Sequence, residues 1–512
     1  MAWPAVCGLL MAFTLGCGNR YLPVVTPINP TGPAGQPTAY VAVTSEPNYN
    51  LLDVPQDNPC VVPASSDPAT TSATAYPEPG VATIVNFSGD SIAAQALIGN
   101  GPIITAMDPT GGLAYAPNCD GTISSFLVSS TLQTKDVYTS TLLNYPTASS
   151  NAIPYNVLAM SGTIFAVEKG HNAIAEMSSA QPPALVQEIP VAPDVINLVG
   201  INDAQRIYSI SQGNSGTGTQ PAWGACSNPS SVTTDGEADG IDLAVSGTSN
   251  NISIANQTVS SRIPVGVCPV YGVMSSNGDR AFILNRGSGT ITVIDAQKNT
   301  IDTTNNGYLT GNGTINLCGG VSPCNAGPVF AEIYGNSQEL VTANYDNNTI
   351  SIIDVSQDVY GNDSPTFGKV LATVPVGVHP AALTILQDGS RIYVADQGTT
   401  SSANGTTTYN DDGGVTIVSL KSFAVEKTIP LNSNPRMIQS IYNYPEGKVY
   451  VASPNSPFLT VIRTDTDIID TQIEVQGNIT GISTSTQYAG ASSTAFVNNY
   501  IIQSHAPGSG EP

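Results

Sequence analysis

Three histidines and eight cysteines carry the most reactive side chains of this 512-residue chain. The histidines, His171, His379 and His505, are widely separated in the sequence. A Ser-His-Asp triad needs a histidine held by a carboxylate beside a nucleophilic serine, and no Gly-x-Ser-x-Gly motif supplies such a serine. The spacing of the histidines gives no support to a metal site. The sequence therefore predicts neither a catalytic constellation nor a metal centre, and we expect the chain not to be an enzyme.

Two acidic stretches resemble calcium loops only superficially. Asp411 and Asp412 precede two glycines, and Asp346 precedes two asparagines. Calcium prefers oxygen ligands from flexible loops, but neither stretch has the Asp-x-Asp-x-Asp-Gly spacing of an EF-hand. Both stretches are predicted to be turns, with calcium as the alternative, and no cofactor is predicted.

Five further side chains are candidates for binding a partner. Aromatic residues and arginines on loops are common in binding surfaces, and cations are scarce in a chain with 15 Lys+Arg against 38 Asp+Glu. Each candidate also has a structural alternative, because an aromatic ring can pack onto the fold, an arginine can pair with an acid and a histidine can occupy a turn. The candidates are Trp223, Arg286, His379, Tyr409 and Arg436.

A repeated unit must position these residues, and residues 269–295 are its clearest copy. An apolar run is followed by Asn277 and Gly278, which tolerate the positive φ of a tight turn. A second apolar run, a Gly-Ser-Gly turn and a β-branched run at 290–295 follow, as expected for consecutive short strands. The unit is therefore predicted to be an antiparallel sheet.

A short marker precedes several copies of this unit. Ile-Pro-Val-Gly ends at Gly266 and Val-Pro-Val-Gly ends at Gly377, and a proline follows three residues later in both cases. The corresponding prolines recur about every 55 residues, and four short strands per repeat of this length are typical of β-propeller blades. The marked prolines are Pro269, Pro328, Pro380 and Pro435.

These motifs resemble the YVTN-type β-propeller repeat of bacterial and archaeal surface proteins, most clearly over residues 263–477. The resemblance implies an all-β propeller of four-stranded blades; seven is the family norm, whereas the units of this chain count to eight. The segment 39–44 has no first strand before it, and the segment 479–485 is an extra strand. The N- and C-terminal strands are therefore predicted to share one blade and close the ring. The propeller is expected to span 39–488, with an uncertain tail at 489–512.

Long insertions are predicted mainly on one face of the ring. Because strands alternate in direction, loops after a second strand and loops before a first strand share a face, which we call the top face. Long loops in compact domains are usually functional, although propellers also tolerate insertions by chance. The insertions predicted on top are 46–79, 212–238, 318–327 and 397–413, and those predicted on the bottom are 297–312 and 355–368.

Six cysteines outside the N-terminal segment all map to top-face loops. An even number of cysteines in an exported chain favours disulfides, although six allow fifteen connectivities. Metal ligation is disfavoured because no Cys-x-x-Cys spacing exists. The predicted pairs are Cys60–Cys119, Cys226–Cys268 and Cys318–Cys324.

Residues 1–17 resemble a bacterial lipoprotein signal that ends in the lipobox Thr14-Leu15-Gly16-Cys17. The resemblance implies that Cys17 is lipidated and becomes the mature N-terminus. Its apolar stretch is too short to span a bilayer as a helix, so no transmembrane helix is expected. An ordinary secretory signal is the alternative, and either signal exports the chain. The Pro/Gly-rich segment 18–38 is predicted to be a tether.

The net charge of −23 argues against a nucleic-acid or anionic-membrane surface as the partner. Together these features predict a monomeric, exported propeller, lipid-anchored at the outer membrane or cell surface, that binds a protein or glycan of the envelope through its top face. One alternative is a lactonase-like hydrolase, because sugar-lactone hydrolases share such propellers, but a shared fold does not carry function. The other is a surface-layer or adhesive structural protein.

Overall fold

The structure is a computed structural model that describes most of the chain between residues 39 and 484. The predicted signal with Cys17, the tether, the C-terminal tail with His505, Cys60 and Trp223 lie outside the described residues. Within the described span, the residues left out are 48–78, 88, 143–152, 161, 202–205, 223, 244, 247–250, 253–256, 322–323, 335–337, 359, 387, 404–405 and 442–446.

Eight antiparallel sheets form the blades of a propeller, which confirms the predicted fold class and the count of eight. The innermost strand of each blade contacts the innermost strand of the next, and the last contacts the first. The ring therefore closes on itself. Among the described residues, no helix is long and apolar enough to cross a membrane.

The first four blades are built from the following strands, given from the centre outwards. Blade one contains Asn478–Thr484, Tyr40–Glu46, Pro79–Asn86 and Ser91–Asn100. Blade two contains Ala106–Met107, Leu113–Pro117, Thr122–Leu127 and Val137–Thr141. Blade three contains Ile153–Met160, Thr163–Lys169, Ala173–Ser178 and Leu185–Pro190. Blade four contains Val195–Val199, Arg206–Ser211, Asp235–Asp242 and Thr258–Val267.

The other four blades follow the same order. Blade five contains Pro269–Met274, Arg280–Asn285, Thr290–Asp295 and two short outer pieces, Thr300–Ile301 and Thr314–Asn316. Blade six contains Pro328–Tyr334, Glu339–Asn344, Thr349–Asp354 and Val370–Pro375. Blade seven contains Pro380–Ile385, Arg391–Asp396, Gly414–Ser419 and Ala424–Pro430. Blade eight contains Met437–Ser440, Lys448–Ala452, Phe458–Arg463 and Ile468–Glu474.

Small elements decorate the blades. Two hairpins pair Val245–Ser246 with Asn251–Ile252 and Thr400–Ala403 with Thr406–Tyr409. The described 3₁₀ helices are Thr134–Asp136, Ala225–Ser227, Pro229–Ser231 and Tyr345–Asn347.

Blade one joins the two ends of the described chain, as predicted. Val43 lies opposite Ile482 in an antiparallel ladder between the second and innermost strands. Lys448 of blade eight adds an ion pair to Asp90 of blade one at 2.6 Å, with both side chains buried. The ring is therefore closed by backbone and side-chain contacts together.

Stacking covers both faces of the inner strands. Every residue of the second strands of blades five and seven is buried, whereas the outer strand of blade seven is exposed at six of its seven positions. A strand covered on both faces is a nearly continuous apolar run rather than an alternating one. This explains the runs that identified the repeats.

The glycine of the marker is explained by a close approach between blades. A Cβ added to this glycine would come closer than 3.0 Å to the side chain at the end of the next second strand. The amide of Gly266, for example, donates to Oδ1 of Asn285 at 3.1 Å. The three such pairs are Gly99–Asn118, Gly266–Asn285 and Gly377–Asp396.

On the bottom face, four of the scarce cations join neighbouring blades. Each is the first residue of a second strand and contacts the following blade. Such buried pairs hold because the neighbouring carboxylates and carbonyls satisfy the charge. The contacts are Arg206 to the carbonyl of Ala296, Arg280 to Asp363, Arg391 to the carbonyl of Thr464, and Lys448 to Asp90.

Candidate binding site on the top face

A pair of positions recurs around the top of the ring, and we call it the rim pair. The residue that leads into a first strand has a φ between 49° and 64°. Its carbonyl accepts a hydrogen bond of 2.8–3.0 Å from the amide of a residue just after the second strand. The two residues are 18 apart in each pair, as in 286 − 268 = 18. The pairs are Gly101–Cys119, Asp194–Gln212, Cys268–Arg286, Gly327–Tyr345 and His379–Gln397.

The rim pair holds one backbone geometry while its side chains vary. A positive φ favours glycine and, among other residues, asparagine, aspartate and histidine, so a cysteine at this position is unusual. Cys268 and His379 adopt it with φ values of 49° and 54°. The scaffold therefore displays different chemistry at equivalent points of the same face.

Two predicted binding residues contact the ring of Tyr345, and two more lie nearby. The guanidinium of Arg286 lies 5.0 Å from the ring centroid, and the imidazole of His379 stacks on the ring at 4.4 Å with an interplanar angle of 9°. Burial raises the pKa of the Tyr345 phenol, while Arg436 and Arg286 oppose that shift and Tyr409 adds to it. We call these five residues the Tyr345 cluster.

Tyr345 itself was missed by the sequence interpretation. It directly follows Asn344 at the end of a second strand, as Arg286 follows Asn285. The constant spacing of the rim pair, 345 − 327 = 18, was the signal that would have found it.

The Arg286 side chain is fixed in place by an ion pair. It is buried and makes a two-pronged contact with Asp346, from Nε at 3.1 Å and from Nη2 at 2.8 Å. Gly327 permits this contact because a Cβ there would collide with the Asp346 carboxylate. The acidic stretch at 346 is therefore part of a 3₁₀ turn whose carboxylate is paired with an arginine.

His379 combines a turn with a side chain that reaches the surface. Its Nδ1 lies 2.8 Å from the carbonyl of Gly398. A carbonyl can only accept, so Nδ1 carries the proton and Nε2 is the acceptor of the neutral ring. His379 is half-buried, and its neighbour Val378 is 39% exposed. These two residues form the accessible edge of the Tyr345 cluster.

Tyr409 and Arg436, the remaining members of the cluster, are both buried, with 7% exposure each. Nearby, the carboxylate of Asp412 accepts from the amide and hydroxyl of Thr399 at 2.7 and 2.6 Å. Asp411 accepts from the Asn455 amide at 2.8 Å. These oxygens are used in turns that fix the loop beside the cluster.

Disulfides fasten the top-face loops to the ring. Cys226–Cys268 and Cys318–Cys324 are both present, each with a Cα–Cα distance of 5.5 Å. Cys119 is disulfide-bonded, and its predicted partner Cys60 lies outside the described residues. The first bond ties the insertion of blade four to a rim residue. That insertion ends at residue 234 rather than 238, because a strand begins at Asp235.

Removing the small disulfide is expected to cost a moderate amount of stability. Replacing both Cys318 and Cys324 with serine should lower the free energy of unfolding by about 2 kcal/mol, since the bond closes a loop with a sequence separation of only 6. Urea unfolding followed by circular dichroism measures the loss. An unchanged midpoint, with thiol titration confirming that wild type contains the bond, would contradict this expectation.

Comparisons with known proteins bear on the fold. Residues 336–440 match the family model of the choice-of-anchor I domain. The propeller prediction is confirmed, but the family that matches is not the YVTN-type repeat. No curated protein sequence is significantly similar to the chain.

Solved propellers resemble this one at very low sequence identity. Dihydro-heme d1 dehydrogenase NirN, in complex with DHE, is 10% identical, and the match covers 91% of this chain and 76% of that chain with a TM-score of 0.56. AztD from Citrobacter koseri is 12% identical over 87% of this chain and 97% of that chain, with a TM-score of 0.51. A putative 6-phosphogluconolactonase from Bacteroides fragilis is 11% identical, and the match covers 87% of this chain and 97% of that chain with a TM-score of 0.47. At these identities the likeness shows the fold alone.

Proposed function

We propose that the chain is an exported binding protein whose top face recognises a protein or glycan of the cell envelope. The observation that carries this proposal is that Arg286 and His379 both contact one aromatic ring, that of Tyr345, with Tyr409 and Arg436 near it. Blades five to eight supply these residues, and inserted loops flank them. Aromatic and arginine side chains in a desolvated setting are typical of binding hot spots.

Rigidity supports this proposal. The rim backbone is held by ladder-like hydrogen bonds, and Cys226–Cys268 ties a long insertion to it. Loops that are ordered before binding lose less conformational entropy when a partner arrives. A rigid scaffold that presents loops is a common arrangement for recognition.

The accessible side chains of the cluster suggest the chemistry of the ligand. Arg286 and Arg436 are buried, and Arg286 is already paired with Asp346, so the accessible polar group of the cluster is the half-buried imidazole of His379. Such an edge favours a hydroxyl or amide group that donates to Nε2 and a flat or apolar group that packs on the imidazole ring and Val378. The hydroxyl groups of a glycan and the amide groups of a protein segment are donors of this kind.

Export and anchoring belong to the same proposal. Disulfides form and persist in oxidising compartments, and two are present in the described chain. Lipidation of Cys17, attachment to the outer membrane or cell surface, and a monomeric state complete it. No catalytic step is part of the proposal.

The test compares a top-face variant with a bottom-face control. Full-length protein would be probed on a glycan array and against an envelope extract, with and without EDTA because calcium is the alternative cofactor. Val378→Glu combined with His379→Asn should weaken binding at least about tenfold, since asparagine keeps the positive φ while the ring is lost. Tyr360→Ala should leave binding unchanged, because Tyr360 is 85% exposed on the bottom segment.

Three outcomes would overturn the proposal. They are equal binding by the top-face variant and wild type, loss of binding in Tyr360→Ala, and hydrolysis of sugar lactones by the wild-type protein.

A further inference from the structure

A second group of polar side chains lies at the top of blade three, away from the Tyr345 cluster. Glu168 is near the end of the second strand, His171 is in the turn that follows, and Glu188 is on the outer strand. The ladder places them together, because Glu168 lies opposite Ala173 while Glu188 lies opposite Ala175. One ligand atom from each of the three side chains lies within 4.8 Å of the others.

Glu168 is the unusual member of this group. It is fully buried, and neither of its carboxylate oxygens has a hydrogen-bond partner. The adjacent ammonium of Lys169 lies over the ring of Tyr155, 4.4 Å from its centroid. A buried carboxylate without a donor is costly unless a cation or a proton compensates it.

Two carboxylates and one imidazole face one small volume. The Nε2 atom of His171 lies 3.6 Å from Oε2 of Glu188.

We propose that Glu168, His171 and Glu188 bind a divalent transition-metal ion of the zinc type. Zinc–ligand bonds of about 2.0–2.2 Å in a tetrahedral site place ligand atoms roughly 3.4 Å apart. The His171–Glu188 separation of 3.6 Å already has this value, and Glu168 needs only a small movement inwards. An imidazole ligand favours zinc over calcium or magnesium, which take oxygen ligands.

Three protein ligands leave a fourth position for water or for a group from a partner. The competing arrangement is a proton on Glu168 beside a His171–Glu188 ion pair. The two arrangements can be distinguished by experiment, because only in the zinc site do all three side chains bind a metal ion.

Calorimetry with zinc chloride on chelator-treated full-length protein tests the proposal. Wild type should bind one zinc ion per chain. His171→Ala and Glu188→Gln should each weaken zinc binding at least about tenfold. The matched control is Glu474→Gln, which removes an exposed carboxylate from the outer strand of blade eight. Calcium chloride should give no comparable heat.

Glu168→Gln separates metal binding from folding. The amide is neutral and of the same shape, so this variant should fold at least as well as wild type without metal. Zinc should raise the melting temperature of wild type and of Glu474→Gln, but not that of Glu168→Gln. The proposal is overturned if wild type binds no zinc, if His171→Ala binds it equally well, or if Glu474→Gln loses it.

Discussion

Replacing Arg280 with methionine is expected to lower the free energy of unfolding by about 3–5 kcal/mol. Arg280 begins the second strand of blade five at the bottom of the ring. Its guanidinium lies 3.0 Å from Asp302, 3.1 Å from Asp363 and 3.8 Å from Asp295. Methionine has a similar length but would leave Asp302 and Asp363 buried without their cation, while Asp295 would keep its ion pair with Lys298 at 2.6 Å.

Burial makes this cluster more costly to break than a surface pair. The Arg280 side chain is 10% exposed, and the three carboxylates are between 4% and 9% exposed. Asp363 belongs to the bottom segment of blade six, so the substitution also weakens the contact between two blades. Removing one partner of a buried ion pair leaves an uncompensated charge, which is the expensive case.

Arg463→Met is the matched control for this prediction. Arg463 pairs with Asp465 at 2.5 Å, but the two side chains are 26% and 21% exposed. Water screens such a pair, so its loss should cost less than about 1 kcal/mol. Urea unfolding of the two variants provides the comparison. Equal losses would show that the Arg280 cluster does not act as a buried ion pair.

The second large effect is a gain in stability from Asp396→Asn at neutral and alkaline pH. Asp396 ends the second strand of blade seven, where Asn285 ends that of blade five. The Asn285 side chain accepts a hydrogen bond from the Gly266 amide at 3.1 Å and donates one to the Thr292 hydroxyl at 2.9 Å. The aspartate carboxylate accepts from the Thr416 hydroxyl at 2.5 Å. An asparagine would satisfy the same environment without a charge.

Burial raises the pKa of Asp396 from 3.8 to about 7, although hydrogen bonds from Thr416 and Gly377 oppose the shift. Because the folded protein binds this proton more tightly than the unfolded chain, the stability of wild type should fall as pH rises from about 4 to 7. At 1.36 kcal/mol per pKa unit the total is roughly 4 kcal/mol. Above pH 7 the penalty is complete and constant.

Thermal unfolding at pH 5 and pH 8 measures this effect. The melting temperature of Asp396→Asn should exceed that of wild type at pH 8, and the difference should shrink at pH 5. Asp388→Asn is the control, because Asp388 is exposed in a turn and accepts from the Ser390 amide as an asparagine also would. Parallel pH profiles for wild type and Asp396→Asn would refute the assignment.

Several features of this protein were predictable because they depend on local, repeated chemistry. The Pro-Val-Gly marker and the Asn-Gly turn recur with the blade, so their spacing revealed the strands and their order. Strand order then implied which loops share a face and where Cys226 and Cys268 would meet. The ring closure followed from one missing and one extra strand.

The contacts between blades were decided by the tertiary structure alone. Side chains that meet across a blade boundary come from different repeats, and nothing periodic connects their identities. Sequence analysis singled out Arg286 and His379 because of their residue types and positions, but it gave no reason for Tyr345 to lie between them.

The tertiary structure also decided which polar side chains are buried. The scarcity of cations singled out Arg286 and Arg436, either to bind a partner or to pair with acids, but it did not indicate that both would be buried in the folded ring. The separation of the histidines argued against a metal site, since a ligand set was sought among histidines. The sheet of blade three instead brings His171 to two glutamates, one of them 17 residues away in the sequence (188 − 171 = 17). Repeat periodicity thus determined the architecture, and packing between and within blades determined which side chains share a site.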